Sequence, residues 1–191
     1  RLVIKPRVLL LDEPTASVDA ASSELIRSAS LNARREWGTT LVIASHDREW
    51  LYNVCDEVAQ LFKGHLIGTG RINTIFGPWE FEDGGHYKTI GDGIRLVVSK
   101  PPHADAIALI EPAVFRILIK DESPATNEAS IRGTVTRLSL EQNSSLLFAD
   151  VRVGTFTLLV RVEEAHLAAM TLHRGWPVRL AYRPELIRWQ S

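Results

Sequence analysis

Two patterns of apolar positions divide the chain near residue 70. Before it, unbroken apolar runs alternate with segments of helical periodicity; after it, short stretches with apolar residues at every second position are cut by glycines and prolines. The run Val8-Leu9-Leu10-Leu11 predicts a strand buried on both faces. Ala20 to Trp37 sets Leu25, Ile26, Ala29 and Ala33 at helical spacing, with Asp19 as N-cap and Gly38 as the stop. Thr39 to Ala44 predicts a second buried strand, closing a strand–helix–strand unit with a right-handed crossover. Asp47 to Tyr52 predicts a short helix capped by Asp47, and Asp56 to Phe62 and His65 to Ile67 predict two strands about a Lys63-Gly64 turn. Arg1 to Lys5 reads as the end of a helix stopped by Pro6.

From Arg71 onward the pattern is all-β. Gly77-Pro78, Asp83-Gly84-Gly85, Asp92-Gly93 and Pro101-Pro102 punctuate it. The segment from Arg71 to about His103 carries no assignable chemistry, and Trp79, Phe81 and Tyr87 read as core or interface aromatics. A hairpin is legible further on: Leu147, Ala149, Val151 and Val153 share one strand face, and Phe156, Leu158, Val160 and Val162 share one on the next. Gly154-Thr155 makes the turn, and Arg152 and Arg161 point the other way. With a strand over Ile131 to Leu138, a helix over Glu163 to Met170 and a strand over Pro177 to Tyr182, the order suits a small closed or nearly closed barrel. Ile110-Glu111-Pro112-Ala113-Val114-Phe115-Arg116 and Tyr182-Arg183-Pro184-Glu185-Leu186-Ile187-Arg188 echo each other and read as related edge turns rather than an array.

Composition narrows the field. With 191 residues, 45% hydrophobic and 24% charged, the chain can build one or two cores. A net charge of -1 leaves no electrostatic footprint for nucleic acid, and no apolar run is long enough to cross a bilayer. One cysteine, Cys55, excludes an intrachain disulfide and reads as a packing residue; with no signal-peptide pattern, a cytoplasmic location is expected.

The chemistry lies where the first strand ends. Asp12 and Glu13 emerge at its carboxyl end, the edge at which open parallel sheets bind ligands. Successive strand residues point oppositely, so one carboxylate can serve hydrated magnesium while the other orients or deprotonates water. Pro14 ends the ladder and Thr15 to Asp19 form a loop. His46, just past the second strand, comes to the same edge.

The string VLLLDEPTASVD, with Ser45-His46-Asp47, resembles the Walker B strand, catalytic glutamate, D-loop and switch histidine of ATP-binding-cassette (ABC) ATPases. The resemblance implies that Asp12 serves Mg2+, Glu13 is the general base, Ser17 and Asp19 belong to a D-loop at a dimer interface, and His46 contacts the terminal phosphate of ATP. The D-loop reads ASVD where SALD is commoner. Neither an LSGGQ signature nor a GxxxxGK[ST] loop occurs, so the expectation is the carboxyl-terminal part of a longer ATPase, inactive alone.

The second half resembles the TOBE or molybdate-binding (MOP-like) barrels of bacterial importer ATPases. The expected fold class is therefore an α/β partial P-loop NTPase (ABC) domain over 1–70, a β-rich connection over 71–103, and an all-β OB-like TOBE/MOP barrel over 104–191. In oxyanion-binding members a serine-x-arginine-asparagine run precedes the first barrel strand; Thr126 to Gly133 stands there, making Thr126, Ser130 and Arg132 the anion candidates. Glu163, Glu164 and His166 stand where a later hydroxyl-bearing stretch would be, and paired carboxylates repel an anion. The resemblance implies an importer ATPase using ATP and Mg2+, pairing with a second copy and with membrane permease subunits on the cytoplasmic face. Its cargo is expected to be molybdate or tungstate; sugar, polyamine or iron, or an oxyanion-binding regulatory module without ATPase activity, are the alternatives.

Overall fold

The apolar run near the start forms β1 (Val8–Asp12), followed by α1 (Ala20–Trp37) and β2 (Thr40–Ala44). This computed structural model describes residues 4–119, 122–140, 146–163 and 172–190. Most of residues 1–5 and of the helix expected over 163–170 therefore lie outside the described residues. β1 and β2 pair in parallel, Leu9 with Leu41, Leu10 with Val42 and Asp12 with Ala44. Asp19 caps α1 by accepting from Ser22 N at 2.7 Å, and Gly38, at φ 65°, ends it in the left-handed conformation.

The expectation of a strand covered on both faces does not hold. Val8, Leu10 and Val42 are 55%, 70% and 54% exposed, whereas Leu9 is buried. Among the described residues β1 and β2 form a two-stranded sheet, and the cover lies on the side of Leu41 and Ile43, which pack with Ile26 and Leu31 of α1 onto Trp50, Leu51, Val54 and Val58. Nor is Leu25 an inward residue: it is 71% exposed, and the buried positions of α1 are Ser30 and Ala33. Small side chains at these positions let the helix approach closely, shifting its buried stripe to 26, 30 and 33.

The contacts divide the chain into two compact units, Arg1–Ala59 and Gln60–Ser191. Unit one ends with α2 (Arg48–Val54), capped by Asp47, whose carboxylate accepts from Trp50 N. β3 (Ala59–Phe62) and β4 (His65–Thr69) pair about Lys63 and Gly64, both at positive φ, as the hairpin pattern requires.

The second unit continues with β5 (Asn73–Phe76), β6 (Glu80–Glu82), β7 (Gly85–Thr89), β8 (Arg95–Val98), β9 (Ile107–Ile110) and β10 (Arg116–Ile117). Then come β11 (Ala129–Leu140), β12 (Leu147–Val153), β13 (Phe156–Val162), β14 (Pro177–Tyr182) and β15 (Arg188–Gln190). Five strands, in the order β10-β14-β11-β12-β13, make a half-barrel sheet; β15-β9-β5 and β6-β7-β8 make two three-stranded sheets. The inward faces of the β12–β13 hairpin fall as its alternation predicts: Ala149, Val151, Val153, Leu158, Val160 and Val162 are buried, and Arg152 and Arg161 are exposed. One core joins these to Ile75 of β5, Leu96 and Val98 of β8 and Ile110 of β9. Trp79 and Tyr87 lie in that unit buried, but Phe81 is 65% exposed.

The echoed heptads fold alike. Each contains a 3-10 turn, Pro112–Val114 and Pro184–Leu186, with proline at its start. The strand after the first turn, β10, pairs with the strand before the second, setting Arg116 opposite Ala181; reciprocally β15 pairs with β9, setting Arg188 opposite Leu109. The Phe115 and Tyr182 rings meet with centroids 5.4 Å apart. The echo is thus a reciprocal exchange of edge strands between two local repeats.

Candidate functional site

Parallel pairing places the carboxyl ends of β1 and β2 side by side. Glu13 N donates to Ala44 O at 2.8 Å, extending the ladder by one step, and Glu13 itself sits at φ 43°. Left-handed backbone in a non-glycine residue is costly and needs support from its surroundings. That support is visible at the side chain. Oε1 accepts from His46 N at 2.9 Å and Oε2 from Ser45 Oγ at 3.1 Å. His46 Nε2 lies 3.7 Å from Oε1, and the imidazole is fully exposed.

Asp12 is exposed at the last position of β1, and among the described residues its carboxylate has no hydrogen-bond or ion-pair partner. It is a hard oxygen donor free to face a hydrated cation. Among the described residues no group of three or more His, Cys, Asp and Glu side chains converges as a metal cage. A single exposed carboxylate is the kind of ligand hydrated magnesium takes, keeping several waters beside one or two protein carboxylates.

The structure brings Glu13, Ser45 and His46 together and gives Asp19 a different local duty. Asp19 is the N-cap of α1, and the Ser22 N–H holds its carboxyl below the usual carboxylate range. Ser17, at φ 61°, occupies the turn between β1 and α1. Cys55 packs partly buried in the core of the first unit, where burial pushes its thiol up.

In the second unit Ser130 and Arg132 point outward from β11 and Thr126 lies exposed in the preceding turn; among the described residues no hydrogen bond joins the three. A cleft of about 240 Å³ lies instead beside β10, lined by Phe115, Arg116, Glu128, Arg161, Glu163 and Arg183 among others, and by none of those three candidates. Arg116 bridges Glu122 and Glu128, the latter at 3.0 Å. The Ala125 N–H and then Arg116 hold the Glu128 carboxyl below its usual range. No sequence motif marks this cleft, whose charged lining comes from β10 and β13 and from residues just outside β11, β13 and β14; the outward alternation of Arg161 is the one legible sign. Glu164 and His166 lie outside the described residues.

No protein-family profile matches the chain. Over 75 residues, 39% of its length, it is 36% identical to the methionine import ATP-binding protein MetN of Mannheimia succiniciproducens. Over an equal stretch it is 39% identical to the phosphate import ATP-binding protein PstB of Saccharolobus solfataricus. Over that partial region its homologues are ABC transporter ATP-binding subunits. The matched stretch spans 22% of the former relative and 28% of the latter. Among solved structures, the cytoplasmic molybdate-binding protein ModG, with molybdate bound, aligns with a TM-score of 0.46 and 10% identity over 62% of this chain and 94% of that one.

Proposed function

We propose that the chain is part of the ATP-hydrolysing subunit of an ABC importer, with residues 1–70 the carboxyl-terminal part of its ATPase domain and 104–191 an accessory TOBE/MOP-like domain joined through 71–103. The observation that carries the reading is the Glu13 carboxylate, set at the end of a parallel strand and aimed by the His46 N–H and the Ser45 hydroxyl. A carboxylate so held can take a proton from an attacking water without reorganising.

In this reading Asp12 holds the magnesium sphere and His46 reaches the terminal phosphate. Bound Mg2+ would supply charge neutralisation on the phosphate oxygens. Ser17 and Asp19 would face a second copy across the nucleotide, and permease subunits would hold the assembly at the cytoplasmic membrane face. Among the described residues no helix is long and apolar enough to cross a membrane, which is compatible with such peripheral attachment. The relatives carry methionine and phosphate in their names, so they support an importer without selecting its cargo. For cargo we retain molybdate or tungstate, on the resemblance of the barrel, with Thr126, Ser130 and Arg132 as candidate ligands; sugar, polyamine or iron would suit the same ATPase.

ATP turnover by the complete subunit in its transporter, wild type against Glu13→Gln, tests the reading. Hydrolysis is expected to fall by about a hundredfold or more while ATP is still bound. Unchanged turnover removes Glu13 as the base. Calorimetry with molybdate, tungstate and sulfate tests the anion: heat abolished by Arg132→Ala supports it, and absence of heat removes it.

A further inference from the structure

Ser45 stands between β2 and α2, and its hydroxyl makes two contacts there. Its oxygen accepts from Asp47 N at 3.2 Å, the turn that leads into α2. A serine that merely shaped that turn would leave its O–H free to rotate toward water. Here the oxygen lies 3.1 Å from Glu13 Oε2 and the side chain is part-buried, so the O–H donates to the carboxylate. The other carboxylate oxygen is fixed by a main-chain donor, His46 N. The terminal torsion of a glutamate is broad and two-fold, so a single donor leaves the carboxylate plane able to swing. Two donors, one on each oxygen, set the plane. Because Glu13 is also held at φ 43°, its side chain leaves the strand end at an angle ordinary strand geometry would not give.

We infer that Ser45 is a positioning residue for Glu13: its hydroxyl locks the carboxylate plane so that a lone pair meets the attacking water. The inference rests on the proposed role of Glu13 as general base. It makes the residue before the histidine a determinant of the chemical step and leaves nucleotide affinity to other groups.

The test compares ATP turnover of the complete transporter carrying wild type, Ser45→Ala, Ser45→Thr, Ser45→Val and Glu13→Gln. Ser45→Ala is expected to lower kcat roughly ten- to hundredfold with KM for ATP within about twofold. Threonine and valine have one shape and differ in the hydroxyl, so Ser45→Thr should recover turnover to within about threefold of wild type and Ser45→Val should not; this pair decides the matter even if Ser45→Ala fails to fold. Combined with Glu13→Gln, Ser45→Ala should add no further loss, as expected of a residue acting through Glu13. Equal turnover in the Thr and Val variants overturns the inference while leaving Glu13 in place, as does a raised KM with kcat unchanged. Unchanged turnover in Glu13→Gln overturns the catalytic reading itself, and the positioning role with it.

Discussion

Asn73 pairs with Leu159 as if its side chain were a strand. Its amide donates to Leu159 O at 2.8 Å and its Oδ1 accepts from Leu159 N at 2.7 Å, while the same Nδ2 also lies 3.2 Å from Ile110 O. Asn73 is 7% exposed, so one amide satisfies the backbone of β13 and ties β5 and β9 to the half-barrel. Asn73→Ala leaves the part-buried N–H and carbonyl of Leu159 without these partners. The expected loss is ~4 kcal/mol in urea unfolding of this chain. A loss below ~1 kcal/mol would mean that water replaces the amide.

Gly154 opens the β12–β13 turn at φ 57°, and a Cβ there would meet Ile90 O at 2.1 Å. Thr155 N donates to the same carbonyl at 2.9 Å, so the turn is docked against Ile90 and cannot move aside without losing that bond. Gly154→Ala combines left-handed strain with backbone overlap and should cost about 3 kcal/mol. Gly84, also at positive φ but with open space around its Cβ position, should cost about 1 kcal/mol on the same substitution.

Asp19 separates structure from chemistry. Asp19→Asn preserves an N-cap oxygen for Ser22 N, so helix content and thermal midpoint should stay near wild type, whereas Asp19→Ala should lower the midpoint. If the charge also serves a dimer interface, Asp19→Asn will depress ATP turnover while leaving stability intact. Turnover that tracks stability in both variants would confine Asp19 to capping.

Glu128 gives the second unit an acid sensitivity. Its carboxyl is held below its ordinary value of 4.5, first by the Ala125 N–H and then by Arg116. A depressed folded-state pKa contributes stability that is complete above about 4.5 and is lost as pH falls through the folded value. The denaturant midpoint of wild type should therefore fall more steeply than that of Glu128→Gln below about pH 4.5. Parallel profiles would assign the acid response to other carboxylates.

What the sequence determined by itself is local. Helix α1 lies where Asp19 and Gly38 bracket it, and the β12–β13 hairpin turns at Gly154, because caps and turns depend on neighbours within a few residues. The juxtaposition of Glu13 with His46 was also legible, since two apolar strands joined by one helix must run parallel and end together. Tertiary structure alone decided which faces of β1 and β2 are covered: Leu10 and Val42 carry the same apolar signal as Leu9 and Leu41, and burial depends on which side other elements occupy. It alone decided that Asn73 meets Leu159 across 86 positions, that Arg116 engages Glu122 and Glu128, and that the Ser45 hydroxyl points at Glu13. Hydrophobic periodicity records burial on one element at a time, whereas a polar contact between distant segments leaves no period to read.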